Sequence, residues 1–383
     1  MRDILEGSMA LAEAVKLCRP AVIAAYPITP QTHIVEDLAS MIANGELDSE
    51  YVMVESEHSA MSACLGAQAT GVRTYTATSA QGLALMWEML YIVSGMRMPV
   101  VMTNANRALS APISIWNDQQ DSIGARDSGW IQLYGETNQE IADTSIQAYM
   151  IGENHDVLLP VMVNMDGFTL THTVEPVDIP AQEDVDSFLP PYKPLYELNP
   201  ASPVTMGPIA FPDSFMEFRK QQHDAMGKAL NVIKKTNEKF SDRFGRSYGD
   251  GLLEFYNMEN ADYAIVAMGS IAGTVKHVLD RAENSDVGLV RIRCYRPFPK
   301  DELKNALKDV ESIGVIEKNI APGFGGAVGA DLRSIGLYNT HDFIAGLGGR
   351  DVRFEDIERI ISEIRSAGDE DDLGRARWIN VGV

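Results

Sequence analysis

Four runs, residues 21–26, 73–79, 99–104 and 158–164, consist almost entirely of apolar and β-branched residues, and amphipathic or small-residue stretches with helical spacing lie between them. A strand with one wet face alternates polar and apolar side chains. A run without that alternation is covered on both faces, the condition of a strand in a parallel sheet layered between helices. The stretch from Ser8 to about Gly167 is therefore expected to be an α/β layer structure. A second α/β unit is expected from about Ala261, with strands at 263–268, 288–293 and 313–317.

Between the two units the composition shifts. Pro176, Pro180, Pro190, Pro191, Pro194, Pro200, Pro203, Pro208 and Pro212 crowd one segment too densely for a helix or a central strand, so it reads as an extended surface connector. From 213 to about 242, Phe215, Phe218, Met226, Leu230 and Ile233 recur among charged residues with the spacing of one long amphipathic helix packed on the first unit. The expected organisation is an α/β domain over 1–175, connector plus long helix over 176–258, and a smaller α/β domain over 259–383.

At 383 residues the chain has room for more than one core. Its formal charge of −22 repels polyanions, so neither nucleic acid nor an anionic membrane surface is an expected partner. No apolar stretch approaches the length of a membrane span, and the charged start Met1-Arg2-Asp3-Ile4-Leu5-Glu6 points to the cytoplasm. Cys18, Cys64 and Cys294 are isolated from one another. They make no zinc or iron–sulfur framework and read as small buried hydrophobes, which puts any redox cluster on another chain.

Chemistry concentrates where strands give way to helices. In Ala25-Tyr26-Pro27-Ile28-Thr29-Pro30-Gln31-Thr32 two prolines hold the backbone around Ile28 and Thr29, and Pro30 suits a first helical turn. Taken alone, Thr29 or Thr32 reads as a cap for the helix expected over 33–42. In Glu55-Ser56-Glu57-His58-Ser59-Ala60-Met61 an acid opens a small-residue helix, where either glutamate would complement the positive helix end. His58 has no second histidine at metal spacing, and no metal ligand is assigned to this chain.

Thr76-Ala77-Thr78-Ser79-Ala80-Gln81-Gly82 is a second hydroxyl-rich corner, with a glycine where a ligand can approach. Arg107 follows the run at 99–104, near the carboxyl end of a strand, where open α/β sheets bind ligands and a guanidinium can grip a carboxylate bidentately. Alone it reads as a solvated surface arginine. Corners at the carboxyl ends of one sheet converge, and together they offer a hydroxyl, a carboxylate and a guanidinium suited to a small acid bearing a carbonyl.

Nearly end to end, the chain resembles the alpha subunits of four-subunit pyruvate:ferredoxin oxidoreductases. The resemblance rests on AYPITPQT at 25–32, ESEHSAM at 55–61, TATSAQGL at 76–83, NANRALSAPISIWNDQQDS at 104–122, RDSGW at 126–130 and VNMDGFTLTHTVEPV at 163–177, with MGSIAGT at 268–274 and RCYRPFP at 293–299. It implies a thiamine diphosphate enzyme whose pyrimidine-binding domain lies here, followed by a transketolase carboxy-terminal-like domain. It further implies beta, gamma and delta partner subunits that carry the diphosphate-binding domain, Mg2+ and [4Fe-4S] clusters. The reaction implied is reversible conversion of pyruvate and coenzyme A to acetyl-CoA and carbon dioxide, with electrons passing to ferredoxin.

By the same resemblance Glu57 activates the cofactor through its aminopyrimidine ring. Thr29 and Arg107 hold the substrate, and Pro27, Ile28, Ser79, Gln81 and Gly82 line the cofactor site. Gly249-Asp250-Gly251 imitates the start of a thiamine diphosphate and magnesium motif, but no apolar strand precedes it and Asn257 follows too soon, so a loop is expected. The glycines at 323–329 and 346–349 read as tight turns rather than phosphate loops. Three other readings stay open: the same enzyme class acting on a branched-chain 2-oxoacid, 2-oxoglutarate or oxalate; the beta chain of a 2-oxoacid dehydrogenase; and a non-catalytic assembly subunit.

Overall fold

Among the described residues, eight strands form in the first half of the chain: β1 (Arg2–Glu6), β2 (Val22–Ala25), β3 (Glu50–Met53), β4 (Thr74–Thr78), β5 (Val101–Asn106), β6 (Ile131–Tyr134), β7 (Val161–Asp166) and β8 (Val174–Asp178). Seven follow in the second: β9 (Leu253–Tyr256), β10 (Tyr263–Ala267), β11 (Val287–Ile292), β12 (Cys294–Arg296), β13 (Ser312–Glu317), β14 (Thr340–Ile344) and β15 (Arg377–Trp378). This computed structural model describes residues 2–281, 286–367 and 375–382. The outermost residues of the expected end domains, 1 and 383, lie outside the described residues.

The larger sheet has the order β12-β6-β7-β5-β4-β2-β3. All its pairings are parallel except that of β12 with β6. The runs that predicted it are its interior: every residue of β4, β5 and β7 is buried. Not expected were β3, none of whose residues is buried, as befits an edge strand, β6, four residues long and too short to stand out, and the three-residue β12. The second sheet runs β15-β14-β13-β10-β11-β9, parallel except for β9 against β11.

Two expectations are corrected. The proline-rich segment is not wholly extended. Pro176 lies in β8, which pairs with β1 in a two-stranded ribbon where a missing N–H costs little, and Gln182–Phe188 is a short helix. The long helix, Phe215–Phe244, buries Ile233 and packs Met226 and Leu230 half-buried against the core as expected, with Ala225, Ala229 and Phe240 completing the stripe, but Phe215 and Phe218 at its start are exposed. Small alanines let this helix lie close to the helix Asn138–Gly152. The Gly249-Asp250-Gly251 segment is a turn, as expected: Asp250 Oδ1 accepts the N–H groups of Leu252 and Leu253 at 2.9 and 2.8 Å.

The two sheets share one apolar core running from Leu11 and Ile23 through Val163 to Val266 and Val315. Polar contacts lock the same junction. Glu140 accepts from Arg291 Nη1 at 2.9 Å and from Arg293 Nε at 3.0 Å, all three side chains being buried. Removing one partner of such a set typically costs about 3–5 kcal/mol, because the remaining charge is stranded in the interior.

Candidate functional site

The Thr29 corner is held by a residue that pattern reading did not single out. Gln31 is buried, accepts the Ile28 N–H on Oε1 at 3.1 Å and donates Nε2–H to the Ala77 carbonyl at 2.8 Å, tying the corner to β4. The capping expectation fails. The helix is Thr32–Ala43, Gln31 sits at its N-cap position, and no side chain caps it. Pro30 lies in the turn before the helix, not in its first turn, and packs close to Gly167 beyond β7. Pro27 and Thr29 are exposed and Ile28 is half-buried.

The structure separates Glu55 from Glu57. Glu55 is exposed and accepts from the Ser59 hydroxyl at 2.8 Å, a bond that lowers its pKa. Glu57 opens the helix Glu57–Gln68 behind Ser56, whose hydroxyl caps the Ser59 N–H, and it is 6% exposed. Among the described residues its carboxylate takes no hydrogen bond and no ion pair. It lies against the second corner, where a Cβ built on Gly82 would come 2.7 Å from Glu57 Oε1 and would also meet Thr78 Oγ1. His58 is half out in solvent, 3.6 Å from Glu88.

The second corner is rich in buried polar atoms without partners. Thr76 Oγ1, Thr78 Oγ1, Ser79 Oγ and both amide atoms of Gln81 have none. Buried donors and acceptors are nearly always satisfied, so such a group marks a surface built to meet something else. A heteroaromatic ligand with ring nitrogens and an amino group fits this donor set, and the missing side chain at Gly82 provides the close approach.

Arg107 corrects the reading of a solvated side chain. It is 6% exposed, donates Nε–H to the Ser114 carbonyl at 2.9 Å and Nη1–H to the Thr29 carbonyl at 2.9 Å. Burial lowers its pKa, partly offset by Asp121. A side-on grip through Nε is thus already taken. The end of the fork, Nη2 and the second Nη1–H, remains available for a carboxylate.

Asp121 joins the corners. Its Oδ2 accepts from the Ala80 N–H at 3.1 Å, Asn104 Nδ2 at 3.0 Å and the Arg107 N–H at 3.1 Å; its Oδ1 accepts from Asn106 Nδ2 at 2.9 Å and the Ser122 N–H at 2.7 Å. Burial raises its pKa, and the amide donors of Asn106 and Asn104 counter that rise. Ala80 adopts φ 42°, an uncommon conformation that this bond helps hold. The preceding segment reaches the second sheet: the Gln119 N–H donates to the Lys318 carbonyl at 2.8 Å, and Lys318 lies 3.2 Å from Asp166 at the end of β7. Asp121 sits inside the long motif at 104–122, but nothing in its local pattern distinguishes it from neighbouring Asp118.

Residues 13–238 match the family model described as pyruvate flavodoxin/ferredoxin oxidoreductase, thiamine diphosphate-binding. Residues 261–357 match pyruvate:ferredoxin oxidoreductase core domain II. The chain belongs to the pyruvate:ferredoxin oxidoreductase family. Pyruvate synthase subunit PorA of Methanocaldococcus jannaschii is 58% identical over 99% of this chain and 97% of the relative. PorA of Methanothermobacter thermautotrophicus is 52% identical over 94% of each. Ketoisovalerate oxidoreductase subunit VorA of Pyrococcus horikoshii is 44% identical over 98% of this chain and 96% of the relative.

Among solved structures, 2-oxoglutarate:ferredoxin oxidoreductase from Magnetococcus marinus superposes with a TM-score of 0.74 at 20% identity over 95% of this chain, which spans 65% of that chain's length. A split-gene transketolase superposes with a TM-score of 0.53 at 11% identity, over 96% of this chain and 99% of that one. At these identities the two structures show the fold: mixed α/β with parallel sheets and a transketolase-like neighbour. No helix among the described residues is long and apolar enough to cross a membrane.

Proposed function

We propose that this chain is the alpha subunit of a pyruvate:ferredoxin oxidoreductase, converting pyruvate and coenzyme A reversibly to acetyl-CoA and carbon dioxide with electrons passed to ferredoxin. What carries the reading is Glu57: a buried carboxylate without a partner, set against Gly82 and the unpartnered Ser79 and Gln81, within the stretch that matches a thiamine diphosphate-binding family. Thiamine diphosphate supplies, when bound, the nucleophilic carbon that a 2-oxoacid needs for decarboxylation.

In this reading Glu57 exchanges a proton through its carboxylate with the cofactor's aminopyrimidine ring. Ser79 Oγ and the Gln81 amide satisfy the ring's polar edge, the open Cα of Gly82 admits its face, and Pro27 and Ile28 shape the wall opposite. Arg107 meets the substrate carboxylate with the free end of its guanidinium. Thr29, whose carbonyl Arg107 already holds, presents its hydroxyl to the carbonyl group of the substrate. Orientation of this kind contributes through positioning rather than through new charge.

The cofactor's diphosphate, Mg2+ and the [4Fe-4S] clusters are placed on beta, gamma and delta partners, and the complex in the cytoplasm. The chain is divided at 1–175, 176–258 and 259–383. The 44% identity to VorA favours 2-oxoisovalerate as the second candidate substrate. The test is copurification from the native source followed by reduction of a low-potential dye. Dye reduction that requires both pyruvate and coenzyme A supports the proposal. Faster reduction with 2-oxoisovalerate moves the substrate, and activity that requires lipoamide overturns the class.

A further inference from the structure

Three residues from distant parts of the chain meet at the start of the helix that leaves the Thr29 corner. Glu6 ends β1, His33 lies in the first turn of Thr32–Ala43, and His172 follows β7. One atom from each of the two rings and one carboxylate oxygen lie within 4.8 Å of one another. We propose that Glu6, His33 and His172 form a binding site for one divalent cation of the zinc class. Two imidazoles and a carboxylate, completed by solvent, are a normal donor set for such an ion.

One ring is oriented by its other nitrogen, and the other already meets the carboxylate. His33 Nδ1 bonds Glu6 Oε1 at 2.7 Å, and His172 Nδ1 bonds Thr171 Oγ1 at 2.7 Å. With its Nδ1–H donated to Thr171 Oγ1, His172 keeps a lone pair on Nε2, which is how a neighbouring group prepares a metal-ligating histidine, while His33 Nδ1 and Glu6 Oε1 share one proton that a bound cation would displace. Thr171 is itself buried and accepts the Phe168 N–H at 2.8 Å, so the His172 support is built into the backbone turn. Tetrahedral bonds of about 2.0–2.1 Å place ligand atoms about 3.4 Å apart. From spacings of up to 4.8 Å, closure onto an ion asks these atoms to approach one another by about 1.4 Å at most.

The location gives the ion a task. His33 stacks on His172 with ring centroids 4.7 Å apart, His172 on Phe168 at 4.7 Å and Phe168 on Trp116 at 4.5 Å. The Trp116 carbonyl accepts the Ala108 N–H, next to Arg107. An ion clamping this stack would fix the helix that leaves the Thr29 corner, so Glu6, His33 and His172 act as positioning residues. None of them has a part in the proposed chemistry.

The full chain, stripped with a chelator, is titrated calorimetrically with Zn2+ and separately with Mg2+. The expected result is one equivalent of Zn2+, no competition from Mg2+, and affinity reduced ~10-fold or more in His33→Gln and in His172→Gln. Because the stacked histidines also contribute packing, Glu6→Gln, at the exposed edge, is the second variant. Co2+ substitution should give a visible band of a four-coordinate ion that all three variants weaken. Absence of Zn2+ binding, or Zn2+ bound equally well by the three variants, overturns the site and leaves a hydrogen-bonded ring stack. Neither outcome bears on the oxidoreductase reading, which dye reduction tests.

Discussion

Arg107 donates Nη1–H to the backbone carbonyl of Thr29 at 2.9 Å, joining two corners that lie 78 residues apart in the chain. One side chain thus sets the position of the other while keeping the end of its own guanidinium for a ligand.

Replacing Arg107 with Ala should raise KM for the 2-oxoacid and lower kcat/KM by about 10- to 100-fold, the worth of one or two charge-assisted hydrogen bonds. Arg107→Lys should recover little, because an ammonium cannot hold the Ser114 and Thr29 carbonyls and still present a planar fork. Steady-state kinetics with varied pyruvate checks this; an unchanged KM in Arg107→Ala would assign the carboxylate to another group.

Gly82→Ala is expected to mimic Glu57→Gln. The new methyl would press on Glu57 Oε1 and on Thr78 Oγ1, both fixed by their own elements. Both variants should assemble normally yet lose turnover by a factor on the order of 10² or more. Dye-reduction rates on the purified complexes decide it, and full activity of Glu57→Gln would remove the proton-exchange role.

Asp121→Asn puts an amide donor among the five N–H groups that the carboxylate now accepts. At least one buried donor loses its partner, so denaturant unfolding should show a loss of about 2–5 kcal/mol. Stability equal to wild type would mean that the corners are held together by packing alone.

Glu317 gives a pH dependence of known sign. Its carboxyl accepts the Gly329 N–H at 2.7 Å and Asn319 Nδ2 at 2.5 Å. Burial, helped by the nearby Asp342, pushes its pKa from 4.5 to about 8. The folded state therefore holds a proton that the unfolded chain releases. The contribution is complete below pH 4.5 and is lost as pH rises through about 8, with up to about 1.4 kcal/mol lost per pH unit. A neutral-carboxyl infrared band that vanishes on crossing that upper value, and is missing in Glu317→Gln, is the expected signature. Its absence from the wild-type spectrum near pH 6 would contradict the assignment.

Much of the larger sheet was legible because burial on both faces leaves a run with no polar alternation, as β4, β5 and β7 show. Short or edge strands such as β6 and β3 carry too few residues, or too mixed a pattern, to announce themselves. The long helix was legible in extent and, from Met226 to Ile233, in facing, but not in its first turns, where Phe215 and Phe218 are exposed. Its apolar residues outnumber those the neighbouring helix can cover, and alanines won the contact because they allow closer approach.

The sequence by itself determined the α/β class, the family and the places where strands turn into helices, since each depends on residues close together in the chain. Only the tertiary structure decided that Asp121 binds the Ala80 and Arg107 corners together, that Arg107 is buried against Thr29 rather than solvated, and that Glu6, His33 and His172 share one spot. Those relations depend on strand order. Parallel strands need long crossovers, so the groups that meet at their ends come from positions no local pattern connects.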